Sequence, residues 1–161
     1  MDDITLKSAM NFLTHCNSTK IKPHVHVVAN GELHSINWSK LPLAVVCNTE
    51  KRGRGRGHWL LIMMMHYNEV IYFDSFGVNL YKYKLVLPKF FNNCKMISNV
   101  RQVQPHRSLT CGLFVLYVYY NLIRKRPYPQ LIETDFSMSS LKYNDTVVIS
   151  FYNKLSFCVK C

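Results

Sequence analysis

Four residues of the types used in acyl transfer occur along the chain in the order His58, Asp74, Gln104 and Cys111. A cysteine acting as nucleophile needs a base within reach, an acceptor that orients the base, and donors for the oxyanion that develops on the attacked carbonyl. Cys111 opens the run Cys111–Arg124, which is apolar on nearly every side, as in a helix buried at the centre of a domain. A thiol at a helix N-terminus faces the positive end of the dipole and unpaired N–H groups, which favours the thiolate. Gly112 beside it leaves room for a substrate. Gln104, seven residues earlier, can place its amide beside the Cys111 N–H as a second oxyanion donor.

These residues need elements to hold them. Two aliphatic runs, Leu41–Cys47 and Trp59–His66, read as buried strands, and Glu69–Phe73 after the turn Tyr67-Asn68 reads as the hairpin partner of the second. His58 precedes one strand of that hairpin and Asp74 follows the other. Antiparallel pairing brings the two together, so the carboxylate can hold the imidazole by one nitrogen. Elsewhere the pattern predicts a short N-terminal helix over Ile4–Cys16, with Asp2 and Asp3 at its start and Ile4, Met10, Phe12 and Leu13 at helical spacing. It also predicts extended pieces between Val25 and Trp38, two helical turns within Asn79–Asn93, and a strand over Lys95–Val103. Pro127 ends the buried helix, and Thr146–Leu155 fits either a strand or a terminal helix. The expected fold is α+β: one domain over residues 1–161, a central mixed β-sheet with flanking helices, and the nucleophile at the N-terminus of a buried central helix.

Singly, an apolar-flanked cysteine reads as a core residue and a histidine at a strand end as a surface one. The combination argues otherwise. A Cys-Gly pair, a His-Trp pair and an Asp-Ser-Phe-Gly turn all fall at the ends of elements, where sites are built.

The 161 residues are 48% hydrophobic, enough for one core, and no apolar run is long enough to cross a membrane. The start, Met1-Asp2-Asp3, is not that of a signal peptide, so a soluble protein is expected. The formal charge of +11 draws the chain toward polyanions. Lys51, Arg52, Arg54 and Arg56 alternate with glycines in a loop that leads directly into His58. Its candidate uses are phosphate contacts to DNA without base specificity, docking of an acidic substrate, or a solvated turn. Six cysteines in such a chain read as reduced thiols, not as a disulfide scaffold. Cys158 and Cys161 form a C-x-x-C, but no second ligand pair follows, so no metal is expected.

The residues Asn48-Thr49, Gly57-His58-Trp59, Tyr72-Phe73-Asp74-Ser75-Phe76-Gly77, and Gln104 through Cys111-Gly112-Leu113-Phe114 together resemble the adenovirus proteases, a family within the clan that also holds the SUMO-deconjugating enzymes. The resemblance spans roughly Ala44 to Tyr117. Asp74 stands where adenoviral enzymes usually carry glutamate, as in the SUMO-protease relatives, whereas the spacing from Gln104 to Cys111 is that of the adenoviral type. The resemblance implies a viral-type cysteine endopeptidase that cleaves precursor proteins near glycine, acting in the host nucleus and virion. It implies two activators as well: DNA, and a short basic peptide from a capsid protein that links to a cysteine. Cys94 lies one residue from the usual place of that cysteine.

Two other readings compete. One is a deconjugating protease for a ubiquitin-like modifier, which shares the catalytic order. The other is a basic DNA-binding packaging protein with a vestigial site, which predicts salt-dependent binding without thiol reactivity. A zinc module is more remote.

Overall fold

The computed structural model describes residues 1–16 and 19–158, with side chains described to residue 155. Cys161 and the side chain of Cys158 therefore lie outside the described residues. Helices α1 (Asp3–His15), α2 (Cys111–Ile123), α3 (Tyr128–Asp135) and α4 (Leu141–Cys158) flank a sheet of strands β1 (His24–Val28), β2 (Leu43–Asn48), β3 (Trp59–His66), β4 (Glu69–Phe73) and β5 (Lys95–Ser98). The strands lie in sequence order. The β2/β3 and β3/β4 pairs are antiparallel and the outer pairs β1/β2 and β4/β5 are parallel, so the sheet is mixed as expected.

The continuous apolar runs of β2 and β3 are explained by burial on both faces. Ala44, Val46, Trp59, Leu61, Met63 and Phe73 face a core shared with α1 and α2. The alternate residues Leu43, Val45, Cys47, Leu60, Ile62 and Met64 face a second core closed by Leu33, Ile36, Leu80 and Phe91 from the connecting segments. Helix α1 starts where Asp2 accepts the Thr5 N–H at 2.7 Å, and it buries Leu6, Met10 and Leu13. Ile4, expected on that face, is 76% exposed. The i, i+4, i+7 stripe runs through Leu6 instead.

Two expectations differ in detail, and one further helix appears. The segment Leu33–Ser35 is a 3-10 turn rather than extended. The fifth strand ends at Ser98 because the next residue, Asn99, receives no sheet partner: its N–H donates to the Tyr128 hydroxyl. The segment after Pro127 forms α3, where Arg126 pairs with Asp135 at 2.6 Å and Tyr117 donates to the same carboxylate. The open choice for the C-terminal segment resolves as helix from Leu141. Val148 is fully buried there and Phe151 packs edge-on against Tyr117 of α2. No helix among the described residues is long and apolar enough to cross a membrane.

One contact of α4 reaches the segment ahead of the nucleophile. Asn144 is fully buried; it donates to the carbonyls of Val103 and Ser137 and accepts from the Ser137 N–H. Asn144→Ala leaves these buried groups unpaired and is expected to cost about 2–3 kcal/mol in urea unfolding. Thr146→Ala, at an exposed position on the same helix, is expected to change stability by less than about 0.5 kcal/mol.

Candidate active site

The β3/β4 register pairs Leu61 with Phe73, so the residues just before β3 and just after β4 emerge at the same end of the sheet. His58 and Asp74 meet there. His58 Nε2 lies 2.6 Å from Asp74 Oδ1. A carboxylate only accepts, so Nε2 carries the proton and the other ring nitrogen is left for Cys111, whose thiol interacts with the imidazole electrostatically. His58 is braced from the β2 side, where its N–H donates to Thr49 Oγ1 and its carbonyl accepts from the Thr49 N–H, both at 2.9 Å. Phe76 stacks on the imidazole with ring centroids 4.5 Å apart.

Asp74 is fully buried, and its carboxylate is filled by donors. Oδ1 takes His58 and the Phe76 N–H at 2.8 Å; Oδ2 takes the Val78 N–H at 3.0 Å and the Tyr83 hydroxyl at 2.7 Å. Asn99 holds the Asp74 backbone from both sides, accepting its N–H and donating to its carbonyl. The turn that wraps the carboxylate requires Gly77. Its φ is +68°, and an added Cβ would lie 2.7 Å from the Arg101 carbonyl carbon. A similar demand falls on Gly57, with φ +53°, where a Cβ would strike the side chain of Asn48.

Gln104 is fully buried and its amide has one workable orientation. The Ser108 carbonyl at 2.8 Å requires a donor, which must be Nε2, and the Ser75 hydroxyl then donates to Oε1 at 2.5 Å. An amide nitrogen has two protons, and one remains for a ligand in the cleft that Gln104 lines together with His58, Cys111, Trp59, Phe76 and His106. That cleft has a volume of about 740 Å³. Met1 forms part of its wall, accepting from the Trp59 indole at 3.2 Å and packing against Gly112.

The electrostatics separate Cys111 from the other buried thiol. Burial pushes Cys47 up to about 12. Burial also acts to raise Cys111, but hydrogen bonds from His58 and from the N–H groups of Trp59 and Gly112, with the imidazolium charge, outweigh it and lower the thiol below its ordinary value. Burial likewise opposes the charge on His58, yet the Asp74 hydrogen bond and charge and the contact with Cys111 lift it to about 9. Both shifts act in the direction that favours a thiolate facing an imidazolium.

All four residues expected to do chemistry thus converge. The other expected positions do not join them. Cys94 precedes β5, whose first residue Lys95 pairs with Glu69 at the far end of β4, roughly 16 Å from Asp74 by strand rise. Its thiol contacts the carbonyls of Tyr67 and Phe90. Arg52 is engaged by Asp3 at 2.6 Å and Glu32 at 2.9 Å, whereas Lys51, Arg54 and Arg56 have no ion pair among the described residues. No group of three or more His, Cys, Asp or Glu among the described residues could hold a metal ion. The sequence reading missed Asn99, Tyr83 and Asp145, none of which carries a local signal: each acts through a partner at least nine residues away in sequence.

No family model matches the sequence and no curated protein is significantly similar to it. Among solved structures, the chain is similar to two crystal structures of the ASFV pS273R protease, one of them of the selenomethionine protein, with TM-scores of 0.54 and 0.55 at 13% identity. The alignments cover 87% and 88% of this chain but 63% and 64% of those proteases, so the chain spans less than two thirds of their length. At this identity the likeness establishes one thing: the chain has the α+β fold, a five-stranded mixed sheet flanked by helices, that these protease structures share.

Proposed function

We propose that the protein is a cysteine endopeptidase in which Cys111 is the nucleophile, His58 the general acid and base, Asp74 the residue that orients His58, and Gln104 an oxyanion donor. The observation that carries the reading is the convergence of Cys111 and the hydrogen-bonded pair His58–Asp74 at one cleft. The fold shared with a viral protease supports it. The Cys111 thiolate attacks the peptide carbonyl carbon, and the carbonyl electrons move onto oxygen, opposite the Gln104 amide and the Cys111 N–H. As the tetrahedral intermediate collapses, the C–N bond breaks, the imidazolium gives its proton to the departing amine, and a thioester remains. His58, now neutral, takes a proton from water; the hydroxide displaces Cys111 and the acid product leaves.

The motif resemblance adds finer content to this proposal: cleavage near glycine in precursor proteins, virion maturation in the host nucleus, a capsid-derived peptide on Cys94, and stimulation by DNA. Lys51 and Arg56, which line the cleft, and Arg54 in the same loop have no ion pair among the described residues and are the residues DNA would contact. A deconjugating protease would use the same catalytic series and differ only in substrate.

The first test is hydrolysis of a fluorogenic Leu-x-Gly-Gly peptide, with and without duplex DNA at low and physiological salt. Cys111→Ala is expected to abolish turnover with an unchanged thermal melt; residual turnover above about one part in a thousand of wild type overturns the assignment. His58 has a folded-state pKa raised to about 9 and Cys111 a lowered one. The ion pair therefore forms as pH rises through the lowered thiol value and is lost as pH rises through about 9, so kcat/KM is expected to follow a bell whose basic limb lies near 9. Asp74→Asn puts an amide N–H against the Val78 N–H or the His58 donor, so it is expected to lower kcat/KM by about 100-fold and to move the basic limb below 9. His58→Ala is expected to cost more, because it removes the base itself.

A further inference from the structure

Thr110 occupies the N-cap position of α2, the place where a threonine hydroxyl usually accepts an N–H of the first helical turn. Here it makes no such bond. Its φ of −97° and ψ of 8° lie outside the extended region from which a capping side chain reaches that turn, and the hydroxyl donates instead to Asp145 Oδ1 at 2.7 Å. Asp145 lies on α4, 35 residues away, and the Ser108 hydroxyl joins the pair: it lies 2.5 Å from Thr110 Oγ1, to which it gives its one proton, and 3.0 Å from the same Asp145 oxygen.

Two consequences meet at the nucleophile. The Gly112 N–H, which is at the second helical position and is a natural partner for a capping hydroxyl, receives no cap from Thr110 and acts to lower the adjacent Cys111 thiol. The Ser108 carbonyl, on a residue whose hydroxyl joins the Thr110–Asp145 pair, is the acceptor that sets the Gln104 amide. The neighbouring Asn144 fixes Val103, so two adjacent α4 residues hold both ends of the segment that carries Gln104 and leads into Cys111.

We propose that Asp145 is a positioning residue for the catalytic thiol: it draws the Thr110 hydroxyl off the first turn of α2, leaving the Gly112 N–H to Cys111, and through the linked Thr110 and Ser108 hydroxyls it aims the Gln104 amide. The inference rests on Cys111 being the nucleophile. Its test does not require a peptide substrate.

The readout is the pH midpoint for alkylation of Cys111 by iodoacetamide, followed at the Cys111 peptide by mass spectrometry, with kcat/KM on the fluorogenic peptide read in parallel. The titratable and charged groups around Cys111 are His58 with Asp74 behind it, Tyr83, Asp145 itself, and along the cleft His106, the Met1 amino group, Asp2, Asp3, Glu50, Lys51, Arg52 and Arg56. Loss of the Asp145 charge alone would make the thiolate easier to form and lower the midpoint. Release of the Thr110 hydroxyl onto the Gly112 N–H takes a donor from the thiolate and raises it, so the two effects have opposite signs.

Asp145→Ala, favourable in a helix, and Asp145→Leu, which keeps bulk, are expected to raise the midpoint by about one pH unit and to lower kcat/KM about tenfold. Asp145→Asn keeps an acceptor and is expected to restore the low midpoint. Adding Thr110→Val to Asp145→Ala removes the competing hydroxyl and is expected to bring the midpoint back down while kcat/KM stays reduced, since Ser108 is still unheld. An unchanged or lowered midpoint in both Asp145→Ala and Asp145→Leu, or a raised midpoint that Thr110→Val does not reverse, overturns the proposal. Failure of peptide cleavage with an intact alkylation profile would count against the endopeptidase reading and leave this inference standing.

Discussion

The buried carboxylate of Asp74 is the interaction on which the site depends. An unpaired charge in such a place would be prohibitive, and it exists only because four donors converge on its two oxygens. Two of the donors are backbone N–H groups of the turn that follows β4, so the carboxylate organises that turn as much as the turn holds the carboxylate. The turn in turn places Phe76 on the imidazole and Ser75 on Gln104. Much of the proposed catalytic arrangement is thus one hydrogen-bonded unit grown from the end of a strand. The fourth donor is His58, and the charge behind it is what keeps the imidazole protonated against its own burial.

The nucleophile arrives from the opposite direction. Helix α2 is buried against the sheet by Phe114, Val115, Leu116 and Val118, which fixes the helix axis but leaves its first turn free to be set by other contacts. Those contacts come from three places: His58 and the Trp59 N–H at the start of β3, Met1 over Gly112, and α4 through Asp145. The sheet therefore supplies His58 and Asp74, and the helices supply Cys111 and the groups around it. Neither half holds the whole constellation.

Much of this was legible in the sequence because the strongest signals are local. The limits of β3 and β4 follow from a continuous apolar run, a two-residue turn and a second run, and burial on both faces of the sheet is why that run does not alternate. Cys111 at the head of an all-apolar segment and Gly77 at a left-handed turn are likewise set by nearest neighbours. Less legible were the elements whose character depends on distant partners. Helix α4 is weakly patterned and is held by Asn144 on Val103 and Phe151 on Tyr117. The fifth strand stops early because Asn99 is claimed by Asp74 and Tyr128, contacts across 25 and 29 residues that no window of sequence contains.

The sequence by itself determined the order of chemical groups, the hairpin that brings His58 to Asp74 and the helix that presents Cys111, since each follows from periodicity and turn chemistry over a few residues. Only the tertiary structure decided how the groups are tuned. Tyr128, Asp145 and Tyr83 come from α3, α4 and a connecting turn, and Arg52 is tied to Asp3 and Glu32 while Lys51, Arg54 and Arg56 have no ion pair among the described residues. The physical reason is that a pKa or a donor's aim is set by whatever lies within a few ångströms, and in a folded chain those neighbours come from anywhere in the sequence.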